Sequence, residues 1–500
     1  MASPNTPEDD DVFARFKAST DKDREDAVRD RVRAQYERAQ RTLAGLIDEN
    51  STLPVSISEI RIEGAKNTRN GFLASVIRPA LSSESGKSYT LATALEELHG
   101  RTNTLHRFGI FHPTISIYLD KKPTSTPDHT DLSVLLTVAE KSRLLLKTGT
   151  DVGNAEGTGY VHLTYRNVFG GAESLNGSAS IGTRTRSAYD LNFTTPVLAN
   201  PGIIAEVGGY ASTRSHHHYA NHEEALKGAR AAIKWGEHEV GYGGVWRQVT
   251  GLGKGASQIV RSDAGDSVKS ALSYSFLRDR RDNALLPGRG YLFKAATELA
   301  GVGPLGGDVA FGKVELESQG AVTEPRTGIS FTAGLRSGLL YPLPSAVGEE
   351  SRPARPSRIN DRFQLGGPTD VRGFRECGLG PKAGEDSVGG DAYIAGGASV
   401  LFPLPKLGRE KPLRLQAFVN GGRLVGLQGI GREAGGDVNK SVAQAAKSLT
   451  SELPSIAAGF GLVYAHPVAR FELNFCLPIV KRPEDRARKG IQFGVGMNFL

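Results

Sequence analysis

His216, His217 and His218, with His222 nearby, could chelate a transition metal, because imidazole nitrogens suit zinc and its neighbours. Gly301–Gly306, which reads GVGPLG, matches the G-x-G-x-x-G pattern of a dinucleotide-binding turn. Asp279, Arg280, Arg281 and Asp282 set carboxylates beside guanidiniums, a combination usable for proton transfer. Each stretch also has a plainer reading. The histidines lie in a polar loop. A segment of alternating polarity follows GVGPLG where a dinucleotide site needs a helix. The charged quartet suits a salt-bridged turn that fixes strand register. GLGKGAS at 251–257 lacks Walker A spacing, and no G-x-S-x-G nucleophile elbow occurs. No catalytic residue, cofactor site or metal ligand is assigned, and enzymatic chemistry is not expected.

A different kind of candidate lies at 361–374, DRFQLGGPTDVRGF. It sits in a Gly/Pro-rich connection, about 343–390, longer than the roughly 12–15 residues beyond which a loop is functional or disordered. Phe363, Leu365, Val371 and Phe374 are poorly suited to water, and Gly366, Gly367 and Gly373 permit tight backbone paths. Arg372 sets a permanent charge beside Gly373 and Phe374. Folded inward, it needs an acidic or carbonyl partner, since an unpaired buried charge is very costly. The stretch reads as a plug or latch.

The elements that would hold such a latch are strands. The chain has 500 residues, 61 of them Gly, with 7% aromatic and 39% hydrophobic residues, a recipe for a turn-rich β-protein. The formal net charge of +7 is modest. No basic run interleaved with aromatics appears, so nucleic acid is not expected as a partner. Cys377 and Cys476 form no CxxC pair; one bridge is open to them, and two ordinary thiols is the simpler reading. The N-terminus has no secretory pattern, and no run of 18 apolar residues occurs, which excludes a membrane-spanning helix but not a membrane barrel.

Residues 1–20 read as a disordered tail. Residues 21–50 read as an amphipathic helix, with Val28, Val32, Tyr36, Ala39, Leu43 and Ile47 every three or four positions. Residues 52–142 form a small α/β domain of order β-α-α-β-β. From 143 to 500, about sixteen segments alternate apolar and polar residues, most of them with the roughly 9–11 residues that a transmembrane strand needs. Phe471, Leu473 and Phe475 oppose Arg470, Glu472 and Asn474; Ile491, Phe493, Val495, Met497 and Phe499 oppose Gln492, Gly494, Gly496 and Asn498. A soluble β-sandwich and a membrane barrel both produce this alternation. Two interruptions stand out, the 343–390 loop and 427–454. The second contains a helix capped by Asp437 with Val438, Val442, Ala446, Leu449 and Leu453 on one face. Both fall at one end of the sheet, opposite the N-terminal domain.

Four motifs in order resemble one superfamily, the outer-membrane assembly proteins that join POTRA domains to a sixteen-stranded barrel and include BamA. These are YRNVFGGAE (165–173), LRDRRDNALLPGRGYLF (277–293), GGPTDVRGF (366–374) and LQAFVNGG (415–422). With RIEG at 61–64 and LHRFGIF at 105–111, the α/β domain resembles a POTRA domain, which binds polypeptide at a sheet edge. The fold implied is mainly β: a 16-stranded antiparallel transmembrane barrel after one POTRA domain and an N-terminal helix. The resemblance implies a hairpin motif at Asp279, Arg281, Asp282, Pro287 and Gly290, and a lumenal-loop motif at Val371, Arg372, Gly373 and Phe374. In relatives the arginine pairs with acidic wall residues, one of which falls here on Asn420. Glu472 is the candidate for the missing charge, and Asn420 could accept a hydrogen bond from the guanidinium.

A single POTRA-like domain without a secretory signal resembles the core barrel subunit of the mitochondrial sorting and assembly machinery (SAM/TOB). That resemblance implies an insertase in the mitochondrial outer membrane, with its POTRA domain in the intermembrane space and its long loops in the cytosol. The implied partners are unfolded β-barrel precursors (porin and the general import pore), peripheral cytosol-side subunits of the complex, and the lipid bilayer. Gln492, Gly494, Met497 and Phe499 match the β-signal of mitochondrial barrels, and Gly494 and Gly496 would weaken or kink the last strand. The expected lateral gate lies between this strand and the first, at Leu144, Leu146, Thr148 and Thr150. A passive or protein-translocating pore of the same superfamily is the alternative, and a soluble β-sandwich binding protein is a third possibility.

Overall fold

A computed structural model describes the chain except residues 1–30, 32–33, 36–37, 39–40, 43, 87–88, 123–129, 154–155, 348–349, 405–411, 428–436, 468 and 497–500. The chain divides into two compact units, Met1–Lys141 and Ser142–Leu500. The expected tail at 1–20 lies outside the described residues. So does much of the expected helix at 21–50; its described positions between 31 and 49 are helical.

In the first unit, strands β1 (Pro54–Glu63), β2 (Tyr89–Thr90), β3 (Ser116–Lys121) and β4 (Thr130–Thr137) form a sheet in the order β2-β1-β4-β3, with β1 and β4 parallel. A register shift between Ile57 and Glu59 lets Ile60 and Ile62 follow Val55 and Ile57. Helices α1 (Asn70–Ile77) and α2 (Leu91–Arg107) cover the sheet and bury Leu73, Val76, Leu98 and Leu105. Thr90 starts α2 with a capping box: its hydroxyl accepts the Thr93 N–H while Thr93 Oγ1 accepts the Thr90 N–H at 2.9 Å.

The second unit is one 16-stranded antiparallel sheet. Its strands are β5 (Leu144–Gly153), β6 (Glu156–Arg166), β7 (Ser174–Gly182), β8 (Thr185–Pro196), β9 (Ile203–Ser215), β10 (Glu223–Trp235), β11 (His238–Thr250) and β12 (Gly265–Asp279). They continue with β13 (Gly290–Ala300), β14 (Phe311–Thr323), β15 (Ser330–Pro342), β16 (Ala392–Pro403), β17 (Leu413–Val425), β18 (Ser455–Ala465), β19 (Arg470–Val480) and β20 (Gly490–Gly496). Each strand pairs with its neighbours in sequence, as an up-and-down barrel requires. Two short strand pairs, Ser345–Val347 with Glu350–Arg352 and Lys382–Ala383 with Asp386–Ser387, lie within the connection from β15 to β16.

Which face is buried separates the barrel from the sandwich. On β19, Arg470, Glu472 and Asn474 are buried, whereas Leu473, Leu477 and Ile479 are exposed. On β20, Gln492 is buried while Ile491 and Phe493 are exposed; β15 exposes Phe331 and Leu335. A soluble sheet would do the reverse. A polar interior behind an apolar outer belt is the signature of a membrane-spanning barrel. Odd-numbered strands run away from the end at which β5 starts. The connections after β15 and β17 therefore both emerge at the opposite end.

The connection after β15 folds back into the lumen. Phe363, Leu365, Val371, Phe374 and Leu379 pack with Phe311, Leu340, Ala395, Leu424 and Ala457 of the wall in one buried apolar cluster. In the connection after β17, helix α3 (Val438–Ser451) begins at Asp437, whose carboxylate accepts the Lys440 N–H at 3.3 Å. Its buried residues are Ser441 and Ala445. The expected face is thus corrected. Val442 and Leu449 flank the contact, and Ala446 and Leu453 are exposed, because small residues let the helix approach the rim closely.

Candidate functional site

The turn at 366–371 aims the arginine inward. Gly366 and Gly367 hold φ of +109° and +134°, which side-chain-bearing residues rarely adopt. Asp370 closes the turn by accepting the Gly366 N–H at 2.7 Å, and it pairs with Arg336 of β15. Arg372 is 1% exposed. Its Nε donates to Glu472 Oε2 at 2.9 Å, a terminal nitrogen donates to Oε1 at 3.2 Å, and the guanidinium lies 4.8 Å from the ring centroid of Phe418. Arg470 reaches Glu472 Oε1 at 2.6 Å, and Asn474 donates to Oε2 at 2.7 Å. One sealed carboxylate therefore serves two guanidiniums and an amide. Charge-assisted, fork-like contacts of this kind are among the stronger hydrogen bonds in proteins.

Asn420 meets the loop differently from expectation. With its amide turned to satisfy both ends, its oxygen accepts the Arg372 N–H at 2.7 Å and its nitrogen donates to the carbonyls of Arg372 and Ala457 at 3.3 and 3.2 Å. It grips the backbone of Arg372. A short neutral amide on β17 satisfies the buried peptide there, and Glu472 on β19 takes the charge.

Gln492, expected at the gate, belongs to the same cluster. Its Oε1 accepts the Gly373 N–H at 2.9 Å, its Nε2 donates to the Phe374 carbonyl at 3.3 Å, and Cys476 Sγ lies 3.4 Å from Oε1. Both cysteines are free. The segment leading into β20 is also held by the loop's main chain. Arg375 N–H donates to Arg486 O at 2.9 Å, Arg486 N–H to Gly378 O at 2.8 Å, and Arg488 N–H to Gly373 O at 2.8 Å. Sequence reasoning missed this ladder and the part of Arg470. The polar stripe Arg470-Glu472-Asn474 did signal an inward face; the path of the loop across it depends on contacts about 100 residues apart, beyond any local pattern.

Of the other expected gate residues, Leu144, Leu146, Thr148 and Thr150 lie on the exposed face of β5. Gly494 and Gly496 sit in a regular ladder with Glu472 and Arg470, with no bulge at either, so the expected kink is absent there. Continuous pairing to β19 holds both glycines extended. Met497 and Phe499 lie outside the described residues. Among the described residues β5 and β20, the two ends of the sheet, share no ladder.

The hairpin motif is a turn held by its own charges. Arg281 donates to both carboxylate oxygens of Asp279 at 2.9 and 2.7 Å and to Gln319 at 2.9 Å. Asp282 Oδ1 accepts the N–H groups of Gly288 and Arg289 at 2.9 and 3.0 Å, and Pro287 is buried. Gly290 holds φ +103°, and a Cβ there would stand 2.1 Å from the Arg280 carbonyl oxygen.

Three of the four histidines face a carboxylate, while His222 Nδ1 lies 2.9 Å from the Ala220 carbonyl. His216 Nε2 lies 3.5 Å from Glu224, His217 Nε2 3.3 Å from Glu223, and His218 Nε2 3.3 Å from Glu376 of the lumenal loop. Burial disfavours the charged form of Glu376, but hydrogen bonds from His218 and Arg184 outweigh it and hold the carboxyl at about 2. Beside it, burial pushes the Cys377 thiol up to about 12. Burial also lowers Lys382 to about 8. No group of three or more metal-ligating side chains stands together among the described residues.

Comparison with known proteins matches residues 167–499 to the family described as the Omp85 superfamily domain. The SAM50-like protein of Schizosaccharomyces pombe is 41% identical over 481 residues, covering 95% of this chain and 97% of that protein. The human Sorting and assembly machinery component 50 homolog is 32% identical over 455 residues, covering 89% and 91%. Among solved structures, BamA from Haemophilus ducreyi lacking POTRA domains 1-3 aligns with a TM-score of 0.67 at 15% identity, covering 88% of this chain and 84% of that one, a likeness of fold.

Proposed function

The chain belongs to the Omp85 superfamily, and from that premise we propose that it is a β-barrel assembly factor of the mitochondrial outer membrane, inserting precursors through a seam between β5 and β20. The names of its relatives, components of a sorting and assembly machinery, support the assembly role. The observation that carries the seam is that β5 and β20 end the sheet without a shared ladder among the described residues.

The physics of the seam follows from the solvent. In hydrocarbon an unpaired backbone group costs several kcal/mol, so a precursor strand gains by pairing with any free edge it meets. The edge of β5 is a template for main-chain hydrogen bonds, and successive precursor strands would extend from it. β20 is held from inside, through Gln492 and the segment before it. Arg372 and Glu472 fasten the loop to the neighbouring β19. Movement of β20 therefore requires release of the loop, which couples the lumenal plug to the state of the seam. The apolar cluster between loop and wall seats the loop inside the barrel and weighs against an open, passive pore.

In this reading the N-terminal unit is a POTRA domain of the intermembrane space. It would offer the edge of β3 to incoming chains, while the connections after β15 and β17 face the cytosol and the peripheral subunits. The precursors are unfolded β-barrels such as porin and the general import pore.

A cross-link of the seam tests the proposal. One cysteine is placed within 144–151 and one within 492–496 in a chain lacking Cys377 and Cys476, and insertion of a radiolabelled porin precursor into isolated mitochondria is followed with and without oxidation. Insertion lost on oxidation and restored by reduction is the expected result. Full insertion through a completely locked barrel would overturn the gate and leave a channel or scaffold.

A further inference from the structure

The turn between β6 and β7, residues 167–173, is built as a pedestal. The buried carboxylate of Glu173 accepts the N–H groups of Phe169 and Gly171 at 3.1 and 2.8 Å. Buried Asn167 accepts the Ala172 N–H through Oδ1 at 3.0 Å. Asn167 and Ala172 hold φ of 54° and 64°, a left-handed conformation that residues with a Cβ avoid. Gly170, Gly171, Ala172 and Glu173 are all buried, yet Phe169 is 65% exposed. A left-handed alanine and these hydrogen bonds hold the turn, whose exposed side chain is Phe169. That is an expensive way to hold a phenylalanine in water.

The next turn at the same end of the barrel, between β8 and β9, presents a leucine. Leu198 is 94% exposed, and it and Ala199 have φ of 52° and 51°. The ring of Phe169 lies 6.2 Å from that of Phe193, which shares the outward face of β8 with exposed Leu191. The two tips thus continue the apolar belt beyond the strand ends. Two other turns at this end present charge: Arg280 and Asp282 between β12 and β13, and Glu324 and Arg326 between β14 and β15. The pedestal is fastened to the first strand. Arg143, the residue before β5, donates to the carbonyls of Asn167 and Val168 at 2.9 and 3.1 Å, and its guanidinium lies 4.8 Å from the ring centroid of Tyr165.

We propose that Phe169 and Leu198 form a membrane anchor, seated among the lipids of the leaflet at this end of the barrel and tied through Arg143 to the start of β5. Lipid is the occupant because the patch is continuous with the outward belt of the strands it joins. The anchor fixes the depth of the starting end of β5 in the bilayer, so that motion at the seam falls on β20. The inference rests on the membrane-barrel reading and is independent of insertase activity.

The test uses the full chain without Cys377 and Cys476, carrying a single bimane-labelled cysteine, in nanodiscs of phosphatidylcholine with and without dibrominated acyl chains. Labels at Phe169→Cys and Leu198→Cys are compared with Leu191→Cys in the belt and Arg326→Cys in a polar turn. Quenching at 169 and 198 close to that at 191, and several-fold above that at 326, is the expected result. Quenching at 169 and 198 no greater than at 326, with 191 quenched, overturns the anchor and leaves tips that face water or a protein. Absence of quenching at 191 as well would overturn the membrane-barrel reading beneath it. Circular dichroism in detergent verifies that each labelled chain is folded.

Discussion

Nε of Arg372 stands 2.9 Å from Oε2 of Glu472, a residue 100 positions further along the chain, with both side chains sealed from solvent. Since Arg470 draws on the same carboxylate, Glu472→Gln leaves two buried guanidiniums without their common partner. Removing one member of a buried pair costs about 3–5 kcal/mol. Arg372→Ala leaves Glu472 with Arg470 and Asn474 and should cost less. The expected order is a lower unfolding temperature in detergent and faster proteolysis of 343–391 for Glu472→Gln than for Arg372→Ala. A Glu472→Gln barrel that melts like the parent, with its loop protected, would show that the pair does not hold the plug.

Gln492→Leu leaves the Gly373 N–H and the Phe374 carbonyl without their side-chain partner. Each buried group left unsatisfied costs about 1–3 kcal/mol. Hydrogen exchange over 366–378 and over β20 should accelerate together, because one side chain joins them. Faster exchange in the loop alone would mean that β20 does not depend on the plug.

Much of this architecture is legible in the sequence because a barrel strand advertises itself every second residue. Phe471, Leu473 and Phe475 against Arg470, Glu472 and Asn474 establish two faces, but they cannot say which face meets water. The exposure of Leu473 beside buried Glu472 decides that. The hairpin turn is readable from Asp279 to Gly290, since the contacts of Asp279 and Asp282 that close it are local. Gln492 reads as an ordinary inward polar residue; that it meets Gly373 depends on a loop returning through the lumen. The same distance hides Asn420, whose neighbours in sequence give no sign that it faces a peptide. On α3 the periodicity of Val438, Val442 and Ala446 points to a face slightly off the one that packs, because Ser441 and Ala445 fit where larger side chains would not.

Gly373 has φ +86°, and a Cβ on it would lie 2.5 Å from the Cβ of Ala457. Gly373→Ala therefore adds a left-handed alanine, at about 1–2 kcal/mol, to an overpacked contact, at about 1–3 kcal/mol. Adding Ala457→Gly removes the contact and leaves the backbone term. The double variant should recover part of the lost melting temperature. Full recovery would mean that the conformation of Gly373 carries no strain, and no recovery that the wall yields freely at Ala457.

Glu376 joins the lumenal loop to the rim, with Arg184 Nη1 at 2.7 Å from one oxygen and His218 Nε2 at 3.3 Å from the other. Its carboxyl is held at about 2, below the 4.5 of an ordinary glutamate. A carboxyl depressed on folding stabilises the fold fully above the unfolded value and loses that contribution as pH falls through the folded one, since the unfolded chain binds the proton first. The difference in unfolding temperature between the parent and Glu376→Gln should therefore be steady from neutral pH down to about 5, shrink across the next units, and nearly vanish by about pH 2. A difference that disappears well above about pH 5 would assign the effect to a group other than the Glu376 carboxyl. A difference unchanged at about pH 2 would show that the glutamate acts by shape and not by charge.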